Sequence, residues 1–177
     1  RIKNDVFSVS YNERLEQPNW VEYNVRNITK KFDRGSMDFY VPKGVHTSDN
    51  NDYRNNVWDK GHMAPAAAFT DTKENLKTTF SYLNCSLQFD KLNRGAWREL
   101  EAQERIWAKE FGTLKVRVVL EFKDGYLILP TGGHVPSRYW KHITFPNGRK
   151  ECFYFPNSTP TKHWSDYEIQ CQVRREK

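Results

Sequence analysis

No stretch of this sequence approaches the roughly 20 consecutive apolar residues that a membrane-spanning helix requires. A charged, apolar and small-residue leader pattern is also missing. The chain begins at Arg1 rather than Met, as a trimmed or mature product does, so the missing leader says little about destination. Cysteine is scarce. Cys85, Cys152 and Cys171 are spaced too widely for a zinc knuckle or a Cys-x-x-Cys redox pair. Two readings of them stay open: a Cys152–Cys171 disulfide with Cys85 left over, or three buried free thiols. Internal repeats and linker-like stretches are absent, so one domain is expected over residues 1–177. No helix-turn-helix, zinc-finger or RNP-type aromatic pattern appears, which removes the common ways of reading base sequence.

What is present suits a packed core. Hydrophobic residues make up 37% and aromatics 15%, which excludes a disordered tail. Lys and Arg number 28 against 22 Asp and Glu, a formal net charge of +6. That excess suits a polyanion partner, although a solvated surface also accounts for it.

Apolar periodicity predicts the elements. Residues 6–11 and 20–28 alternate as strands, with a polar turn over 12–19 between them. Residues 29–56 are rich in Gly, Asp, Asn and Lys and read as a long loop, a common seat of function. A short helix is expected over 71–79 and a buried strand with an irregular middle over 80–89. Residues 93–111 place Ala96, Trp97, Leu100, Ile106, Trp107 and Phe111 at helical spacing, and Gly112 ends the run. Asp124-Gly125 predicts a hairpin joining 114–122 to 126–129, and Asn147-Gly148 one joining 139–145 to 150–155. A last strand is expected over 168–173. The sum is an α+β fold with a largely antiparallel sheet.

Two segments carry chemistry. In residues 57–69 (VWDKGHMAPAAAF), Lys60 and His62 flank Gly61, a residue that lets a backbone turn tightly. A lone histidine in such a setting serves structure more often than catalysis. In residues 82–101 (YLNCSLQFDKLNRGAWRELE), Asn93 sits where a helix N-cap is expected. On a continuous helix Glu101 would lie about 80° around from it.

Together these residues resemble the DNA/RNA non-specific endonucleases, the ββα-metal nucleases. Their signature is matched by Asp59, Lys60, Gly61 and His62, then Asn84 and Gln88, then Leu92, Asn93 and Trp97, then Glu101. Weaker likeness extends to Asn19-Trp20-Val21 and Val135-Pro136-Ser137, so the resemblance covers most of the chain. It implies an antiparallel sheet core with a ββα-metal finger, the histidine at a strand and an asparagine at the start of the long helix. Three features depart from the family. Lys60 replaces an arginine and loses its bidentate fork. The usual Thr-Gly-Pro stretch is absent near Val118 to Phe122, and the chain stops soon after Val173, where many members continue into a further C-terminal piece.

The resemblance also implies roles. His62 is the expected base that activates water, with an acceptor on its second ring nitrogen. Asn93 is the expected metal ligand, holding Mg²⁺, for which Mn²⁺ can substitute, through one amide oxygen and several waters. Glu101 is expected to accept hydrogen bonds from those waters, and Asn84 to orient a water or the phosphate. Arg34, in the loop motif Asp33-Arg34-Gly35-Ser36, is the expected phosphate clamp, with a solvated surface arginine as the competing reading. Lys60 and Arg94 join it as substrate-binding cations. The expected reaction is hydrolysis of DNA and RNA phosphodiesters to 5′-phosphate and 3′-hydroxyl ends. The competing classes are a nucleic-acid-binding domain without activity and a zinc phosphoesterase of His-Asn-His type. His46, His134, His142 and His163 lack ligand-like spacing. Expected partners are nucleic acid, a second copy of the chain and an inhibitor protein, with no membrane. An unrestrained nuclease endangers its own genome, which favours secretion or an organelle.

Overall fold

The computed structural model describes residues 1–171. Along the chain run β1 (Ile2–Lys3), β2 (Phe7–Asn12), β3 (Gln17–Val25) and β4 (Trp58–His62). Helix α1 (Lys73–Thr78) precedes β5 (Cys85–Phe89), followed by α2 (Asp90–Asn93) and α3 (Ala96–Phe111). The chain continues through β6 (Leu114–Glu121), β7 (Arg138–Thr144), β8 (Lys150–Pro156) and β9 (Glu168–Ile169). The fold is α+β.

Seven strands form one antiparallel sheet in the order β1-β2-β3-β6-β7-β8-β9, and β4 and β5 form a separate two-stranded ribbon. Alternation decides which sheet face is covered. Val116 and Val118 of β6, Ile143 of β7 and Phe153 and Phe155 of β8 point into the core. There they meet the apolar stripe of α3, where Trp97, Leu100 and Ala108 are buried. The ribbon packs against α2, which in turn packs against α3.

The predicted strands over 6–11 and 20–28 and the hairpin at Asn147-Gly148 are all present, within two or three residues. Three expectations are corrected. The hairpin at Asp124-Gly125 does not form as a ladder. Gly125 makes the turn at φ +81°, with the Tyr126 amide on the Lys123 carbonyl. The partner of β6 is β7, however, and residues 126–129 contribute only the isolated bridge Ile128–His134. Leu127 and Ile128 stay exposed, whereas Tyr139 and Ile143 bury completely, so apolar burial selects the later strand. The helix predicted over 93–111 is two helices broken at Gly95. A Cβ there would lie 2.6 Å from the Lys91 carbonyl oxygen, so only glycine fits the break. The angle reckoned between Asn93 and Glu101 on one continuous helix therefore does not hold. In the expected strand over 80–89, residues Tyr82–Asn84 form a 3-10 turn before β5 begins. Cys152 and Cys171 form a disulfide, and Cys85 is a buried free thiol. Of the last predicted strand, Glu168–Ile169 is present, and residues 172–173 lie outside the described residues.

Candidate active site

The site is built on the ribbon. Asp59 pairs across from Gln88, Gly61 from Ser86 and His62 from Cys85. Gly61 lies within the strand, not at a turn. A Cβ at Gly61 would come within 2.8 Å of both Gln88 Oε1 and Gln88 Cβ, so glycine is needed to let Gln88 cross the strand. This corrects the expected tight turn.

His62 ends β4 between two aromatic rings. Its centroid lies 4.6 Å from Phe39 and 4.6 Å from Phe80, the latter edge-on. Among the described residues no acceptor holds the ring, which corrects the expected partner on its second nitrogen. Packing orients it instead, and Nε2 is buried without a hydrogen-bond partner. Burial pushes the imidazole down to about 3, and the nearby Arg34 charge adds to the shift. The ring is therefore neutral at physiological pH, as a proton acceptor must be.

The long loop brings cations to this histidine. The Arg34 guanidinium sits 4.8 Å from the Phe80 ring centroid, on the same ring that flanks His62. It donates to the Met37 carbonyl at 2.9 Å, which fixes the turn that presents it. Lys60 reaches Asp38 at 3.2 Å and lies 5.9 Å from the Tyr82 ring. Its charge is thus shared with a carboxylate that the Phe39 amide and Lys60 together hold below the usual range.

Asn84 does not face substrate. It is fully buried; its Oδ1 accepts the Ala64 amide at 2.7 Å, and its Nδ2 donates to the carbonyls of Ala64 and Thr79. Its backbone carbonyl takes the Met63 amide. The expected contact with water or phosphate is corrected: every polar atom of this amide is spent on holding the chain just past His62.

Asp59 organises the start of the helical segment. Its Oδ2 accepts Asn93 Nδ2 at 2.9 Å and Arg94 Nε at 2.9 Å, and its Oδ1 accepts Arg94 Nη2 at 2.7 Å. The Asn93 amide is therefore locked with its nitrogen inward, and its oxygen is the atom left to ligate a cation. Asn93 is the last residue of α2, not a cap of α3. Arg94 commits Nε and Nη2 to Asp59, while the side chain stays largely exposed. Asp59 lies three residues before His62, roughly 10 Å along an extended strand, so one strand carries the histidine and the clamp on the asparagine.

Glu101 stands on α3 beside the Trp97 indole, with Oε2 buried and unpartnered. Burial pushes its carboxyl up to about 8; Lys141 and Arg105 pull it down and Glu104 pushes it further up. Among the described residues no cluster of three or more His, Cys, Asp or Glu side chains could hold a metal. The oxygens here with no hydrogen-bond partner among the described residues are the Asn93 amide oxygen and the buried Glu101 Oε2. A hard oxygen donor with few protein ligands suits a small hydrated cation such as Mg²⁺.

Three parts of this site were missed in the sequence: the clamp by Asp59, the ring pair Phe39 and Phe80, and a buried Lys141 beneath Glu101. Lys141 had a signal. It interrupts an apolar phase that Tyr139 and Ile143 share on β7. The two phenylalanines are brought together by the loop fold and carry no periodic signal.

A histidine at the end of a two-stranded ribbon, followed by a short helix that ends in an oriented asparagine, matches the ββα-metal class of nucleases. The family model described as DNA/RNA non-specific endonuclease matches residues 1–176. The chain belongs to that family. It is 30% identical over 115 residues to "Endonuclease G, mitochondrial" of Bos taurus, covering 62% of this chain and 38% of that protein. It is 30% identical over 148 residues to a "Nuclease" of Nostoc sp., covering 80% of this chain and 53% of that protein. The chain thus spans about two fifths of the mitochondrial relative, 38% of its length, and about half, 53%, of the cyanobacterial one. The crystal structure of the EndoG/EndoGI complex superposes with a TM-score of 0.84 at 25% identity, covering 95% of this chain and 79% of that chain.

Proposed function

We propose that the chain is a metal-dependent, sugar-non-specific endonuclease that hydrolyses DNA and RNA phosphodiesters to 5′-phosphate and 3′-hydroxyl ends. The observation that carries this reading is the Asp59 clamp, which, from the strand that ends in His62, engages the Asn93 amide nitrogen and leaves its oxygen to ligate a cation. Neutral His62 takes a proton from water on an unprotonated ring nitrogen. Arg34, held over Phe80, neutralises charge on the phosphoryl oxygens as it builds up. Lys60 adds positive charge along the same approach, weakened by its pairing with Asp38. Asn93 Oδ1 would hold Mg²⁺ or Mn²⁺, and Glu101 Oε2 would accept hydrogen bonds from waters around it. When bound, the cation supplies charge stabilisation for the departing 3′-oxygen. Asn84 and Asp59 position; they do not touch substrate.

Nothing in the site reads bases, so contacts to phosphate and sugar suffice. The EndoG/EndoGI match supports an inhibitor protein as a partner class, and the mitochondrial relatives support an organellar location. A second reading, binding without cleavage, is favoured by the Lys60–Asp38 pair, which blunts the cation at the family's arginine position. One experiment separates them. Supercoiled plasmid and total RNA are incubated with the protein in Mg²⁺ or EDTA, alongside His62→Ala. Cleavage of both, abolished by EDTA and by the substitution, is expected. Intact substrates with a salt-sensitive gel shift would instead establish the binding domain.

A further inference from the structure

Beneath Glu101 lies an ion pair whose two side chains are both fully enclosed. Lys141 Nζ is 2.7 Å from Glu104 Oε2, with no exposed area on either side chain. Tyr23 donates its hydroxyl to Glu104 Oε1 at 2.7 Å, and Lys141 Nζ lies 4.1 Å from the Trp97 ring centroid. A buried pair of this kind contributes little over apolar residues of similar volume. Its neighbours in phase on β7, Tyr139 and Ile143, are core residues, so stability alone does not explain a lysine here.

Its placement does. Trp97 and Glu104 are seven residues apart on α3, about two turns, so they share a face, and Glu101 stands between them on that face. Lys141 touches both neighbours and so brackets Glu101 from the strand below.

We propose that Lys141, anchored by Glu104 and Tyr23, is a positioning residue for Glu101, fixing the placement of the carboxyl group that receives water at the cation site. This rests on the reading of Glu101 given above. The groups that face Glu101 are Lys141 from β7, Tyr23 from β3, and Trp97, Glu104 and Arg105 from α3. Burial favours the neutral acid. Lys141 favours the carboxylate, and its pull exceeds the push from Glu104. The anchoring pair thereby offsets part of the push from burial, which still leaves the carboxyl at about 8.

The test removes both anchoring charges together, because deleting one strands the other. The variants are Lys141→Met with Glu104→Leu, and Lys141→Gln with Glu104→Gln. Urea melts select whichever folds. In metal-free protein, ¹³C NMR follows the Glu101 carboxyl, assigned with Glu101→Gln. Its midpoint is expected to move up by about one pH unit or more. In plasmid cleavage against Mg²⁺, kcat should fall about 10–100-fold with little change in KM for plasmid. Added to Glu101→Gln, the same pair of changes should cost nothing further. An unmoved midpoint, a wild-type kcat, or an added loss in the Glu101→Gln background would overturn the proposal. If neither pair folds, Tyr23→Phe loosens Glu104 mildly; a smaller upward move of the midpoint is expected, and none would overturn it. Wild-type cleavage by Glu101→Gln itself would instead sink the reading of Glu101, while the midpoint would still report on Lys141.

Discussion

The buried polar groups of the large sheet and those of the ribbon are treated differently. On the sheet side, Lys141, Glu104 and Tyr23 satisfy one another. On the ribbon side, His62 Nε2 and both amide atoms of Gln88 are buried with no partner, as is Glu101 Oε2 on the adjoining helix. Buried polar groups are ordinarily paired, so the Lys141–Glu104–Tyr23 set has the character of scaffold, and the ribbon atoms are the ones to test as a site; on the sheet, Glu151 Oε2 of β8 is also unpartnered.

The comparison breaks most sharply at Asn93 and His62. Asn93→Ala and His62→Ala should each lower plasmid cleavage by about 10²–10⁴-fold with urea midpoints near wild type, since neither completes a buried network. A large stability loss would show that these residues are scaffold after all. Asn84→Ala belongs to the scaffold and should do the reverse. It strands the Ala64 amide and the carbonyls of Ala64 and Thr79, so unfolding free energy should drop by about 2–4 kcal/mol in denaturant melts.

Smaller effects sharpen the boundary. Gly61→Ala should cost about 1–3 kcal/mol through collision with Gln88, and adding Gln88→Ala, which removes Oε1 but keeps the Cβ, should restore only part of it. A loss unrelieved by the second change would place the strain elsewhere. The smallest effect is in pH dependence. Between about 3 and 6.5 the unfolded chain binds more protons at His62 than the folded one, so this residue makes stability rise with pH. Between 4.5 and about 8 the folded protein keeps a proton on Glu101 that the unfolded chain has lost, so this residue makes stability fall with pH. Urea melts at pH 4.5, 6 and 8 should show His62→Ala flattening the acid side and Glu101→Gln the alkaline side. NMR titration should find no His62 midpoint between pH 5 and 8.

The legible parts of the molecule were those whose cause is local. Alternation along residues 20–25 and 114–121 names strands because each side chain chooses a face by itself. His62, Asn93 and Glu101 stood out through their spacing in a family signature. Pairings decided over distance were not legible. Asp124-Gly125 makes its turn, yet β6 goes to β7 because Tyr139 and Ile143 have more to bury than Leu127 and Ile128. The break at Gly95 depends on a carbonyl four residues back, which helical periodicity does not register. Asn84 was assigned to substrate because spacing shows that a residue is special without showing what it touches.

The order of strands also sets an order of events. β3 lies beside β6, so the whole segment that carries Arg34, His62, Asn93 and Glu101 is an excursion between two neighbouring strands. Trp20 cannot find Val119 until that excursion has been synthesised, and α3 cannot settle until β7 and β8 lie beneath it. Non-local pairings of this kind close slowly and late. A chain emerging from the ribosome amid messenger RNA therefore carries every residue of the chemistry long before it carries the platform that aligns them.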